Sequence, residues 1–307
     1  AVRQSLKSFG RFKGSGSDDL KPIVLQKLGQ NALIWLVAIY RAAYLLQHVP
    51  EKWLELKIIF LTKPNKSNLQ KSNAFRPISL MQFFWKCFEK LLQFENKKHC
   101  GSRHFRQHGF REKFSTETAL TVAANIIEHS LIKHEFCLAV ALDLTNCFGT
   151  LPFAPVVAKM KQIGCKDEFI GVLKDFMENR RMNIAYKGVN LTKYCTIGQG
   201  QGSCISPWAF SIICDEILLE LQEFWDNSEE EVKFHFNAFA DDLVLFTTGQ
   251  NLAHLFVVMQ SALQRCMNWA ERNGLLFEPT KSTVCLHTRK KKYNSCLLYT
   301  SDAADED

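Results

Sequence analysis

The stretch FHFNAFADDLVLFTT, Phe234–Thr248, constrains this chain more tightly than any other. Two apolar, β-rich runs flank Asp241 and Asp242, and neither Gly nor Pro accompanies the pair. This pattern predicts a buried hairpin with two acids at its tip. A third acid, Asp143, stands at the end of the nearly continuous apolar run EFCLAVALDL, Glu135–Leu144. In a strand, neighbouring side chains point to opposite faces. At a tight turn that alternation breaks, so adjacent acids can reach one cleft. If the two stretches share a sheet, Asp143 and Asp241 meet at its edge. Two like charges about 4 Å apart repel by roughly 4 kcal/mol at an effective dielectric of 20. No basic residue flanks either site within several positions. Magnesium, a hard ion that takes carboxylate and phosphate oxygens, is then the expected partner. Two such ions suit in-line displacement at phosphorus, activating a hydroxyl and stabilising a leaving pyrophosphate. The motif alone leaves open a merely solvated Asp-Asp turn.

The rest of the chain reads as globular. Of its 307 residues, 47% are hydrophobic, enough for a sizeable core and more than one subdomain. The most apolar window, Ala32–Leu46, is short of a bilayer span and contains Arg41, so it reads as a core helix with no membrane role. A net charge of +7 suits a polyanionic partner. The eleven cysteines are scattered and never spaced as CxxC, which argues for buried intracellular thiols and against disulfides or zinc.

Helices are expected near Asn31–Gln47, from Leu80 to Lys98, and over Thr116–Ile132 with Ser115 or Thr116 as cap. Further helices are expected near Phe153–Ile163, Asp167–Glu178, Trp208–Phe224 and Leu252–Asn273. Strands are expected at Leu56–Thr62, at Glu135–Leu144, in a hairpin made of MNIAYKG and LTKYCTI, and at STVCLHT. The Gly/Ser-rich SFGRFKGSGSDDLKP reads as a loop entering a helix, and RKKK, Arg289–Lys292, reads as solvated.

Six segments then point one way. FADD between β-rich runs, AVALDLTNCF, QGQGSCISPWAFS, AFRPISLMQFFWKCFEKLL, QHGFREKFSTETAL and NWAERNGLLFEPTKS each resemble a sequence block of the non-LTR (LINE-type) retrotransposon reverse transcriptases. They occur in family order over about residues 15–287.

The resemblance implies roles. Asp143 and Asp241 would ligate two Mg2+ ions, with Mn2+ as a substitute. The Leu144 carbonyl would complete one shell, and Asp242 would lie more peripherally. Phe148 would stack under the incoming sugar and clash with a 2′-hydroxyl. Lys63 and Arg76 would grip the triphosphate, Arg76 by a bidentate fork and Lys63 as a point charge. Gln201 and Gly202, with Ser203, would form the loop beneath the nascent pair. Lys281 would be a general acid for pyrophosphate. The chain departs from the family pattern at Gly200, where Pro is common, at Gly149, where Asp is frequent, and at Thr145–Cys147.

The implied fold is α/β (α+β): right-hand polymerase fingers and palm, with an antiparallel palm sheet backed by helices. Residues 1–134 would hold an N-terminal extension and fingers. Residues 135–290 would be palm, with a fingers insertion at about 165–197. Residues 291–307 read as a non-native or disordered tail. The thumb and an endonuclease domain would lie outside this piece. The implied activity is RNA-directed DNA synthesis on an RNA template and a DNA primer from dNTPs, in an intracellular ribonucleoprotein, nuclear or cytoplasmic. Alternatives left open are a catalytically degenerate nucleic-acid-binding relic, an RNA-dependent RNA polymerase, and an unrelated α/β protein. Oligomeric state is not legible.

Overall fold

A computed structural model describes residues 1–63, 74–96, 103–186, 188–227 and 231–290. In chain order the elements are α1 (Val2–Lys7), α2 (Pro22–Gln26), α3 (Gln30–Leu45), β1 (Glu55–Thr62), β2 (Phe75–Leu80), α4 (Phe83–Asn96), α5 (Thr116–Ile132) and β3 (Phe136–Leu142). They continue with α6 (Cys147–Thr150), α7 (Phe153–Gln162), α8 (Asp167–Asn179), β4 (Arg181–Tyr186), β5 (Val189–Tyr194) and α9 (Ser206–Asp226). The last are β6 (Val232–Phe239), β7 (Asp242–Gly249), α10 (Leu252–Arg272) and β8 (Thr283–His287). Expectations for residues 291–307, including Lys291 and Lys292 of the basic run, and for Lys97, Lys98 and Lys187 lie outside the described residues.

The chain divides into two compact units, one of residues 1–102 and 146–213 and one of residues 103–145 and 214–307. In the first unit, four strands form a sheet ordered β2-β1-β4-β5. Strand β1 runs antiparallel to β2 and parallel to β4, and β4–β5 is the expected hairpin. No strand was expected at Phe75–Leu80. Pro77 is tolerated because β2 is an edge strand, where a missing N–H costs the ladder least. The core of this unit is aromatic: Trp85 stacks on Phe176 at 4.1 Å, and Tyr40 on Phe88 at 4.9 Å. The Gly/Ser-rich start has neither helix nor strand before α2, as expected, whereas α1 was not foreseen.

In the second unit a fully antiparallel sheet is ordered β6-β7-β3-β8. Side-chain alternation gives it two faces. Cys137, Ala139, Val244 and Phe246 pack with Ala123, Ile126 and Ile127 of α5 on one face. On the other, α10 covers β6 and β7, and Thr247 donates to the Leu255 carbonyl at 3.3 Å. Covering on both faces explains why β3 reads as an unbroken apolar run rather than an alternating one. Ser115 caps α5 with a reciprocal box: its hydroxyl accepts from the Thr118 N–H, and the Thr118 hydroxyl accepts from the Ser115 N–H.

Candidate active site

The second unit brings the acids together. β3 pairs with β7 in the register Leu142↔Leu243, and Asp143 and Asp242 are the next residues outward on the two strands. The pairing therefore carries Asp143 toward Asp242, whereas simple adjacency had suggested Asp241. Asp143 and Asp242 line one cavity of about 390 Å3 with Lys281 and the α5 residues Thr116, Ala119 and Leu120. Asp241 and Leu144 line a smaller space on the α10 side. Burial, then Asp241 and Asp143, push the Asp242 carboxyl up, and Lys281 opposes them. Lys281 Nζ lies 2.5 Å from Asp143 Oδ2, and this bond holds the ammonium above its ordinary range. A cation compensates the acids after all, supplied from a segment remote in sequence.

The turn itself answers why neither Gly nor Pro is needed. β6 and β7 are joined through Ala240 and Asp241, with Phe239 paired to Asp242. Ala240 has φ +57°, a region that favours glycine. Gln107 holds it there. Its Oε1 accepts from the Ala240 N–H at 2.9 Å and from the Gly109 N–H at 2.8 Å, and its Nε2 donates to the Ala240 carbonyl at 3.2 Å. Gln107 is fully buried, and a Cβ at Gly109 would collide with the Ala240 backbone. The chain also pairs here with β6, the His108 N–H donating to the Ala238 carbonyl at 2.8 Å. The block QHGFREKFSTETAL carried the resemblance, but nothing in its composition showed that Gln107 clamps the acidic turn.

The first unit gathers the other predicted residues around β2. Lys63 and Arg76 sit at the same end of the β1–β2 pair: Leu61 faces Arg76, and the Lys63 N–H donates to the Ala74 carbonyl at 2.8 Å. Arg76 is exposed. Farther along β2, the Ser79 N–H donates to the Gln201 carbonyl at 2.8 Å. Gly202, at φ +120°, lies so close to the Ser79 carbonyl that a Cβ would meet it at 2.7 Å. Phe148 lies in α6, its ring 5.1 Å from that of Phe210, and its carbonyl accepts from the Gln199 N–H at 2.5 Å. The loop is anchored from α4. Buried Glu89 accepts from the Ser203 hydroxyl at 2.5 Å and the Cys204 N–H at 2.9 Å, and burial pushes its carboxyl up. Sequence reasoning gave Glu89 no role; an acid among the apolar positions of FFWKCFEKLL was the available signal.

The donor chemistry of the acidic group fits a hard divalent ion. Three carboxylates are present, and one of them is destabilised by the other two. The bonds that tie this segment to Phe277 use the Asp143 carbonyl and the Thr145 N–H, not the Leu144 carbonyl. Among the described residues, no three acidic, His or Cys side chains are close enough to form a ready-made cage.

Comparisons with known proteins identify the family and the fold. The profile described as reverse transcriptase (RNA-dependent DNA polymerase) matches residues 63–297. The chain is 24% identical over 285 residues to the probable RNA-directed DNA polymerase from transposon BS of Drosophila melanogaster, covering 92% of this chain and 31% of that protein. It is 25% identical over 275 residues to the RNA-directed DNA polymerase from mobile element jockey of Drosophila funebris, covering 88% of this chain and 29% of that protein. The chain thus spans about a third of the length of the curated relatives it matches. In structure it resembles apo telomerase from Candida tropicalis, with a TM-score of 0.56 and 14% identity, covering 91% of this chain and 59% of that one. That likeness supports the fingers-and-palm fold. With a family match over most of its length, the chain belongs to the reverse transcriptase (RNA-dependent DNA polymerase) family.

Proposed function

We propose that this chain carries the catalytic centre of an RNA-directed DNA polymerase of a non-LTR retrotransposon. The observation that supports it most is the convergence of Asp143, Asp241 and Asp242 at one end of the antiparallel sheet, where Asp242 feels both other charges. The family generally uses divalent metals. Here Asp143, Asp241 and Asp242, with the Leu144 carbonyl, would hold two Mg2+ ions, or Mn2+ in their place. When bound, those ions lower the pKa of the primer 3′-hydroxyl and neutralise charge developing on the phosphates.

The chain's own residues do the rest. Arg76 and Lys63 would hold the triphosphate of a dNTP, and fixing its position supplies much of the rate. Phe148 would exclude a 2′-hydroxyl. Gln201 and Gly202 would support the nascent pair through backbone tied to Ser79. Lys281 would give a proton to the departing pyrophosphate, for which it must leave Asp143. The template would be RNA and the primer DNA, in a nuclear or cytoplasmic ribonucleoprotein. Among the described residues, no helix is long and apolar enough to cross a membrane.

The test is extension of a DNA primer on an RNA template with magnesium and dNTPs. In the full-length protein, wild type should extend and Asp143→Ala should not, whereas equal extension by both would refute the reading. Phe148→Val should additionally admit ribonucleotides. One observation favours a second reading, a binding-only relic: the Lys281–Asp143 ion pair occupies the first acid. Nucleic-acid binding with no magnesium-dependent extension would support that alternative.

A further inference from the structure

A second cavity of about 390 Å3 lies in the same unit, on another flank of α5. Arg106, His129, Lys133, Lys233 and His235 line it, against the single carboxylate of Glu135. Lys233 and His235 alternate along β6, so both face α5. Arg106 is held in place. Its Cζ lies 4.7 Å over the Trp225 ring and 5.0 Å over the Phe105 ring. Trp225 in turn meets His235 edge-on at 4.7 Å. Yet the Arg106 Nε is buried without a hydrogen-bond partner, and Arg106 has no carboxylate partner among the described residues.

A stacked guanidinium with an unused donor, beside two lysines and two imidazoles, is an arrangement short of negative charge. Charge-assisted bonds from a guanidinium to phosphate are among the strongest available. The local field shows the same shortage. Burial, then Arg106, Lys233 and His129, bring His235 down to about 4, so it stays neutral near pH 7.

We propose that this cavity is a phosphate site for the backbone of single-stranded RNA, separate from the acidic site on the other flank of α5. The choice of RNA rests on membership of the family; the choice of phosphate rests on the cavity. Arg106 would supply the oriented donor, and Lys133 and Lys233 the exposed charges. Contacts of this kind position a strand without reading its sequence.

The experiment measures binding of a fluorescent twelve-nucleotide oligo(U) across a salt series, without dNTPs, in an Asp143→Asn background. Catalysis is silent there, so its failure would leave the polymerase reading untouched. Lys133→Gln/Lys233→Gln alters two exposed side chains and should fold. It should weaken binding by about 5- to 30-fold and flatten the slope of log K against log salt by about 1.4, at roughly 0.7 per phosphate contact for single strands. Lys27→Gln/Lys161→Gln, which removes the same net charge from the other unit, should change neither by as much. Oligo(U) should also raise the His235 titration midpoint, followed by NMR. Equal losses in the two double variants, or an unmoved His235, would overturn the proposal. So would a cavity that took inorganic phosphate or a phosphopeptide but not oligo(U).

Discussion

Lys281 Nζ sits 2.5 Å from Asp143 Oδ2, so the acid that ends β3 is already neutralised by a residue from the segment leading into β8. Lys281 is exposed and Asp143 partly so, and solvent-screened pairs of this kind are worth about 0–1 kcal/mol. A divalent ion must displace this ammonium or share the carboxylate with it. Lys281→Met should therefore leave the urea midpoint almost unchanged while tightening Mg2+ binding by several-fold in calorimetry. If Lys281 also protonates pyrophosphate, the same variant incorporates nucleotide more slowly despite binding metal better. Weaker metal binding would count against the competition.

Gln107 holds the Ala240–Asp241 turn through three hydrogen bonds. In Gln107→Ala the Ala240 and Gly109 N–H groups lose their acceptor inside the protein, at about 1–3 kcal/mol for a buried group left unsatisfied. The urea midpoint should fall without a change of slope. Gln107→Glu keeps the acceptor but loses the donor to the Ala240 carbonyl and buries a fourth negative charge beside the acids, so it should cost at least as much stability as Gln107→Ala.

Glu89 makes a different demand on chemistry. The Ser203 hydroxyl that donates to it already accepts from the Ile205 and Ser206 N–H groups, at 3.1 and 3.2 Å. Glu89→Gln can accept from Cys204 but then aims an N–H2 at an oxygen with no lone pair to spare. A loss of about 1–3 kcal/mol follows from one buried polar group without a partner. Glu89→Gln as stable as wild type would show that the loop is held by other contacts.

Acid should weaken the second unit before its carboxylates titrate. Burial lowers both His235 and His104 to about 4, reinforced by neighbouring cations, from 6.5 in the unfolded chain. Above about pH 6.5 both states are neutral and the folded form loses nothing. As pH falls from 6.5 toward 4, the unfolded chain takes protons that the folded chain refuses, so stability drops. Urea midpoints at pH 7.5 and pH 5 measure the drop, and His235→Gln should make it smaller. An unchanged drop would mean that His235 titrates normally.

Much of this was legible in the sequence, and the exceptions have physical causes. β3, the β6–β7 hairpin and α5 with its Ser115 cap were readable, because apolar period and capping residues are local signals. β2 was not, since Pro77 contradicts a strand unless its edge position is known. The placement of Asp143 opposite Asp242 depends on strand register, which adjacency in sequence does not fix. Gln107 and the Lys281 ion pair were invisible for a shared reason. Each acts on a residue far away in the chain, and a single sequence carries no signal for such partners.

The central claim is that the acid after β3 and the acids of the hairpin turn share divalent ions. Mn2+ titration of the wild-type chain, followed by electron paramagnetic resonance, measures this without any nucleic acid. Asp143→Asn and Asp241→Asn should each weaken the tightest Mn2+ site by at least about tenfold, and the double variant should lose little more than either alone, as expected for residues acting on one site. Wild-type Mn2+ affinity in either single variant, or losses that simply add, would contradict the account.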